Sequence, residues 1–336
     1  MKRNKRRRLR LTRRRRTVGG FTLSQRESAR RRALRRRQID RLITAGLLAV
    51  IVLCVAMIGS ILLRTVRTKR LNAELSALHA QQTVEQTPEV TAEPMPAPSP
   101  SPEPQTSPSP SPLPTTGPVV STTQYHRASG TALAHMETLY DQNHDLIGWI
   151  EIPGVIDLPV MYKDNRYYLT HDFYKKKNAS GTIFLDVNHR FSETTQNLLL
   201  HGHNMKDGTM FGRLVHYLQD IDYYRNHPFV RYDTLWEEDE YVIFAVLRVS
   251  LDVKDEHFFN YFTHPTFSSD EAFDAYVRQL AVKSIYAIPI NVKPSDALLT
   301  LSTCIDEDRL VIVCRRVREG ESRSRLSELA RAALRQ

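Results

Sequence analysis

Three cysteines in 336 residues are too few to staple a secreted scaffold, and one of them, Cys54, sits in an apolar run where it serves as a small filler. Spacing leaves the other two free to pair or to stay apart; we expect a reactive Cys304 and a buried Cys314 on the neighbouring strand. Several catalytic signatures are also missing. There is no dinucleotide-binding glycine loop, Walker motif, serine-hydrolase elbow or HExxH pair. No ligand cluster accompanies the His-Gly-His at 201–203, so neither a metal nor a cofactor is expected. Acids are scarce at one end, where residues 1–41 hold nineteen Lys or Arg against Glu27 and Asp40 alone. Charge is wholly absent from residues 42–63, LITAGLLAVIVLCVAMIGSILL.

That uncharged run is long enough, at about 1.5 Å per residue, to cross a hydrocarbon core of roughly 30 Å as a helix. Its apolar stretch is longer than that of a cleavable signal, and no clear small-residue cleavage site follows. Basic residues flank it on both sides, but the excess lies before it, which predicts a single-pass protein with a cytoplasmic amino terminus and an extracellular remainder. The formal net charge of +10 is carried by that end, because residues 71–336 hold twenty-four basic and thirty-five acidic side chains. A specific nucleic-acid partner is therefore not expected, and anionic membrane lipids suffice to explain the basic arm.

The boundaries that follow are a basic cytoplasmic arm at 1–41, the membrane helix at 42–63, a juxtamembrane segment and stalk at 64–124, a folded domain at 125–318 and a tail at 319–336 with a short helix. Residues 71–80 read as a short polar helix. Twelve of the eighteen prolines fall between Pro88 and Pro118, which predicts an extended, semi-rigid stalk without a core. In the folded domain, ASGTALAHMETLYDQN and DEAFDAYVRQLAV have helical apolar spacing, TMFGRLVHYL reads as a further helix, and KDNRYYLTHDF as a turn with a short helix. LIGWIEIPG, IDLPVMY, GTIFLD, NLLLHGHN, HPFVRYDT, EYVIFAVLRVS, SIYAIPI, ALLTLSTC and RLVIVCRRV read as strands. Repeated βα units are absent, so the fold class is mainly β, a closed or partly closed barrel with inserted helices.

ALLTLSTC and RLVIVC place a thiol near the end of one strand and a guanidinium at the start of the next, compatible with Cys304 and Arg309 sharing one barrel mouth. Thiolate is the competent nucleophile and needs a positive or hydrogen-bonding environment. A histidine delivered by NLLLHGHN can form the ion pair and protonate a leaving amine. Arg309 stays protonated, so it can orient substrate or support an oxyanion but cannot serve as a base; alternatively it pairs with the Asp306, Glu307 and Asp308 run.

Taken together, TLSTC ending in Cys304, RLVIV opening with Arg309, LLLHGHNMKDGTMFGRL, GWIEIPG, IDLPVMY, DNRYYL and GTIFLD resemble the sortase family, and within it the class B cysteine transpeptidases of Gram-positive cell envelopes. The resemblance implies an eight-stranded sortase β-barrel with inserted helices and an N-terminal helical extension. It implies that Cys304 attacks a threonyl carbonyl of a C-terminal sorting signal, that His203 protonates the departing amine, and that Arg309 positions the peptide. Asn165, Leu169, Ser302 and Thr303 are the implied groove residues. His201 stands where the family usually carries an aromatic residue, often tyrosine. The implied partners are secreted proteins bearing the sorting signal, and a lipid-linked peptidoglycan precursor or a pilin lysine as acceptor. The alternatives are a pilin-polymerising sortase, a sortase-like cysteine endopeptidase, and an anchored, nonenzymatic wall-binding domain. LPTTG at 113–117 matches a cell-wall sorting pentapeptide, but it lies in a Pro and Thr tract that supplies such residues by composition.

Overall fold

The computed structural model describes residues 23–84, 133–189 and 195–336. The start of the basic arm, the proline-rich stalk, LPTTG and the expected domain start near Tyr125 lie outside the described residues. The chain divides into two compact units, Met1–Leu63 and Arg64–Gln336.

Helix α1 runs over Leu23–Val84, so the basic, apolar and polar stretches that composition separates form one helix. No proline interrupts these residues, and isolated glycines such as Gly46 and Gly59 do not by themselves end a helix. It is the one helix among the described residues that is long and apolar enough to cross a membrane. From Arg64 onward its residues belong to the second unit, where Leu75 is buried and Ser76 donates to Asp157.

The second unit is built on strands β1 (Leu146–Ile152), β2 (Ile156–Met161), β3 (Ile183–Leu185), β4 (Asn197–His201), β5 (Phe229–Thr234), β6 (Glu240–Val249), β7 (Tyr286–Ala287), β8 (Leu298–Ile305), β9 (Asp308–Arg316) and β10 (Leu334–Arg335). Eight of them close a barrel in the order β1-β2-β3-β4-β8-β9-β6-β5, with β2–β3 and β4–β8 parallel and the other pairs antiparallel. The helices of this unit after α1 are α2 (Ala134–Gln142), α3 (His216–Gln219), α4 (Ile221–Asn226), α5 (Asp270–Lys283) and α6 (Arg323–Arg331).

Alternation along each strand sorts the apolar side chains to two faces. Ile150, Leu158, Ile183, Leu200, Tyr232, Ile243, Leu301 and Ile312, one from each barrel strand, join the interior core. On the outer face Leu247, Leu298, Val311 and Val313 pack against Phe273, Tyr276 and Leu280 of α5 and Leu326 of α6. These three α5 residues recur at helical spacing, and Ser269 caps the helix by accepting from the Ala272 amide. A third cluster joins Leu75 of α1 and Met136 and Leu139 of α2 to Trp149 and Met161.

Two elements differ from expectation. SIYAIPI yields only the two-residue β7, which pairs with β10 instead of entering the barrel; Pro289, lacking an amide N–H, cannot extend a ladder. TMFGRLVHYL becomes a single 3-10 turn at Gly212–Val215 followed by the four-residue α3. The helical path stops at Asp220, whose extended backbone and side-chain acceptance from the Asp222 amide start α4 instead.

Candidate active site

β8 and β9 form a hairpin closed by two residues, Asp306 and Glu307, with Asp306 at φ 52°, a positive value that such tight turns require and Asp tolerates. The register sets Cys304 directly opposite Arg309, so both side chains leave the same face. Arg309 Nη1 donates to Cys304 Sγ at 2.7 Å. The acidic run does not consume Arg309: Arg248 of β6 donates from Nε to Asp308 Oδ2 at 2.7 Å and from Nη2 to Asp306 Oδ2 at 3.3 Å. All three cysteines are free; Cys304 is exposed, whereas Cys314 is buried and burial pushes its thiol well above the ordinary range.

β4 runs parallel to β8 and ends with His201 beside Ser302. The chain then passes Gly202, where an added Cβ would lie 2.8 and 2.9 Å from ring carbons of Phe211 and closer still to Ile183. Only glycine fits between the two histidines. His203 Nε2 lies 2.8 Å from the Leu169 carbonyl oxygen, and since that oxygen can only accept, Nε2 carries the proton. Leu169 closes the 3-10 turn Tyr167–Leu169, which Asp164 holds by accepting from the amides of Arg166 and Tyr167. Gly181, at φ +61°, passes so close to this turn that a Cβ would lie 2.9 Å from the Leu169 oxygen.

Asp186, just beyond β3, organises the other side. Its Oδ2 accepts from Asn165 Nδ2 at 2.9 Å and lies 2.9 Å from His201 Nε2. Its Oδ1 accepts from the Asn188 amide at 2.8 Å and lies 3.5 Å from His189 Nδ1. Burial alone would raise this carboxyl, but His189, His201 and the Asn188 amide outweigh it and hold the group well below the usual carboxylate range. The departure from an aromatic residue at position 201 thus has a structural partner: an imidazole tied to a buried carboxylate.

Every residue predicted for catalysis or for the groove lines one cleft of about 310 Å³: His203, Cys304, Arg309, Asn165, Leu169, Ser302 and Thr303. Ser302 and Thr303 are nearly sealed by their own bonds, Ser302 Oγ to the Tyr261 hydroxyl at 2.8 Å and Thr303 Oγ1 donating to the Gly202 carbonyl at 2.7 Å. They fix the strand end that carries Cys304. Sequence reasoning missed Phe184 and Asp186 in this cleft. The available signal was a carboxylate ending the GTIFLD strand. The arrangement brings an exposed thiol beside a guanidinium in a cleft that an imidazole also lines, a set of groups that suits acyl transfer through sulfur.

Comparison with known proteins places the chain in one family. The sortase domain profile matches residues 150–317. Sortase B of Listeria monocytogenes is 33% identical over 181 residues, covering 53% of this chain and 70% of that protein. Sortase B of Staphylococcus aureus is 29% identical over 186 residues, covering 53% and 73%. A crystal structure of a Bacillus anthracis protein described as similar to sortase B superposes with a TM-score of 0.51 at 30% identity, covering 58% of this chain and 87% of that one.

Proposed function

The chain belongs to the sortase family, and on that footing we propose a membrane-anchored, class B-type cysteine transpeptidase that cleaves a sorting signal at a threonyl carbonyl and transfers the protein to a wall-precursor amine. The observation that carries the reading is the 2.7 Å bond from Arg309 Nη1 to Cys304 Sγ in the cleft that also holds His203. A guanidinium donor favours the thiolate over the thiol. The thiolate attacks the carbonyl carbon, and the C–N bond breaks as the His203 imidazolium passes a proton to the leaving amine. The thioacyl product keeps the carbonyl carbon on sulfur. An incoming amine then attacks that carbon, His203 accepts its proton, and the thiolate departs. Arg309 is placed to shift from sulfur toward the carbonyl oxygen as negative charge moves there. Asn165 and Leu169 shape the peptide groove, with Ser302 and Thr303 holding its floor.

The charge asymmetry around residues 42–63 supports a cytoplasmic amino terminus and an extracellular barrel. Secreted substrate and lipid-linked acceptor meet an enzyme held at that surface, which raises their local concentration. The acceptor is a peptidoglycan precursor amine, or a pilin lysine if the chain polymerises pili. The test uses a threonine-containing sorting peptide with an amine acceptor, the products being resolved by mass spectrometry. Stable amide product and a Cys304 thioacyl adduct are expected, with both lost in Cys304→Ala. Cleavage without transfer at saturating acceptor would identify an endopeptidase instead, and unchanged conversion by C304A would refute the catalytic assignment.

A further inference from the structure

Far apart in sequence, His79 near the end of α1, His135 of α2 and Asp233 of β5 converge on one point within the second unit. Their candidate donor atoms all lie within 4.8 Å of one another, with His135 Nε2 4.0 Å from Asp233 Oδ2. All three side chains are buried, at 7%, 2% and 1% exposure, and His135 Nε2 has no hydrogen-bond partner. A buried ring nitrogen without a partner is costly, and two imidazoles with one carboxylate is a recurrent donor set for divalent transition metals. We propose that His79, His135 and Asp233 form a transition-metal site, suited to Zn²⁺, that clips the end of α1 to the barrel wall.

The surroundings fix the donors as a metal site requires. The His79 ring stacks on Trp149 at 4.2 Å between centroids with planes 4° apart, and it meets His135 edge-on at 5.0 Å and 87°. Trp149 is itself held by Nε1 donating to Asp157 Oδ1 at 2.6 Å. Arg231 Nε lies 3.2 Å from Asp233 Oδ2, an outer contact that orients the carboxylate. Tetrahedral zinc with bonds near 2.0–2.1 Å sets its donors roughly 3.4 Å apart, so side-chain shifts on the order of 1 Å close the site. The nitrogens exclude a magnesium or calcium preference, since those ions take oxygen ligands. The site does not use the cleft around Cys304, and its metal role is structural: it ties α1 to α2 and β5, with a water completing the fourth position of the ion.

The experiment uses the full chain in detergent carrying Cys304→Ala, which removes the competing exposed thiol. After chelator stripping and addition of Zn²⁺ alone, elemental analysis of the desalted protein is expected to give one zinc per chain, with the melting temperature rising as zinc is added. Co²⁺ in its place is expected to give the visible absorption of a low-symmetry site. His135→Ala or His79→Ala is expected to weaken zinc binding by more than the roughly 10- to 100-fold that an outer contact costs. Where alanine prevents folding, His135→Gln and Asp233→Asn, verified as folded by circular dichroism, take its place with the same expected loss. Zinc retained undiminished by folded variants, or a stripped chain that neither retains zinc nor gains stability from it, overturns the proposal. Neither result depends on transpeptidase activity.

Discussion

Replacing Gly202 with alanine tests the steric account of the His-Gly-His segment directly. An alanine Cβ would sit 2.8 Å from Phe211 Cδ2 and closer still to Ile183 Cδ1, where carbon atoms prefer about 3.5–4.0 Å, so both side chains must retreat, the ring by roughly 0.7 Å and Ile183 by more, or the strand end must move. Phe211 and Ile183 are fully buried, leaving neither an easy escape. Overpacking of this kind costs about 1–3 kcal/mol. At about 2–4 °C per kcal/mol for a domain of this size, the melting temperature should fall by roughly 2–12 °C. The backbone of Gly202 is tied to Ser302 and Thr303, and the carbonyl of His203 accepts from the Phe211 amide, so the strain reaches both sides of the cleft. A displacement below 1 Å there should lower the amide-transfer rate by about tenfold or more. Differential scanning fluorimetry and steady-state transfer kinetics on detergent-solubilised chain check the two arms. Phe211→Leu in the G202A background makes room and should couple by about 0.5–3 kcal/mol. A variant with unchanged melting temperature and rate, or strict additivity in the double mutant, would refute the reasoning.

Asp186→Asn should lower stability at neutral pH by about 1.5–3 kcal/mol, the scale of a hydrogen bond to a charged group. The carboxyl is depressed in the folded chain, so its contribution is present above the unfolded value near 3.9 and lost as pH falls through the folded one. Melting curves of wild type and D186N should therefore stay apart at pH 5 and above and converge only below about pH 4; convergence between pH 8 and 5 would contradict the assignment. Arg248→Ala leaves Asp306 and Asp308 free to draw Arg309 off the thiol, while exposed ion pairs of this kind carry under about 1 kcal/mol of stability. The expected result is a nearly unchanged melting temperature with kcat/KM for transfer down about fivefold and restored in part by Arg248→Lys, and an unchanged kcat/KM in R248A would count against a role for Arg248 in keeping Arg309 on the thiol.

The barrel and most of the cleft were legible because the information is local. Apolar strands named themselves by composition, and a short acidic turn between two of them dictates that Cys304 and Arg309 face each other. Which guanidinium the acidic turn takes was not legible, since Arg248 lies sixty residues before Asp308 in sequence and reaches the turn only through the β6–β9 ladder. Asp186 reads from sequence as a strand terminus; its importance depends on β3 lying beside β4, which sets Phe184 opposite His201. SIYAIPI was misread for the opposite reason, its composition favouring a strand that Pro289 and the β10 partner keep to two residues.

The three thiols occupy three different solvents. Cys54 projects from the uncharged run of α1, Cys314 is sealed in the barrel wall, and Cys304 opens to water. A charged, membrane-impermeant alkylating reagent therefore turns the chain into its own counter. One label per chain, at Cys304, would mark molecules whose barrel wall is closed, and a second, at Cys314, would count those whose wall has opened, without reference to any substrate.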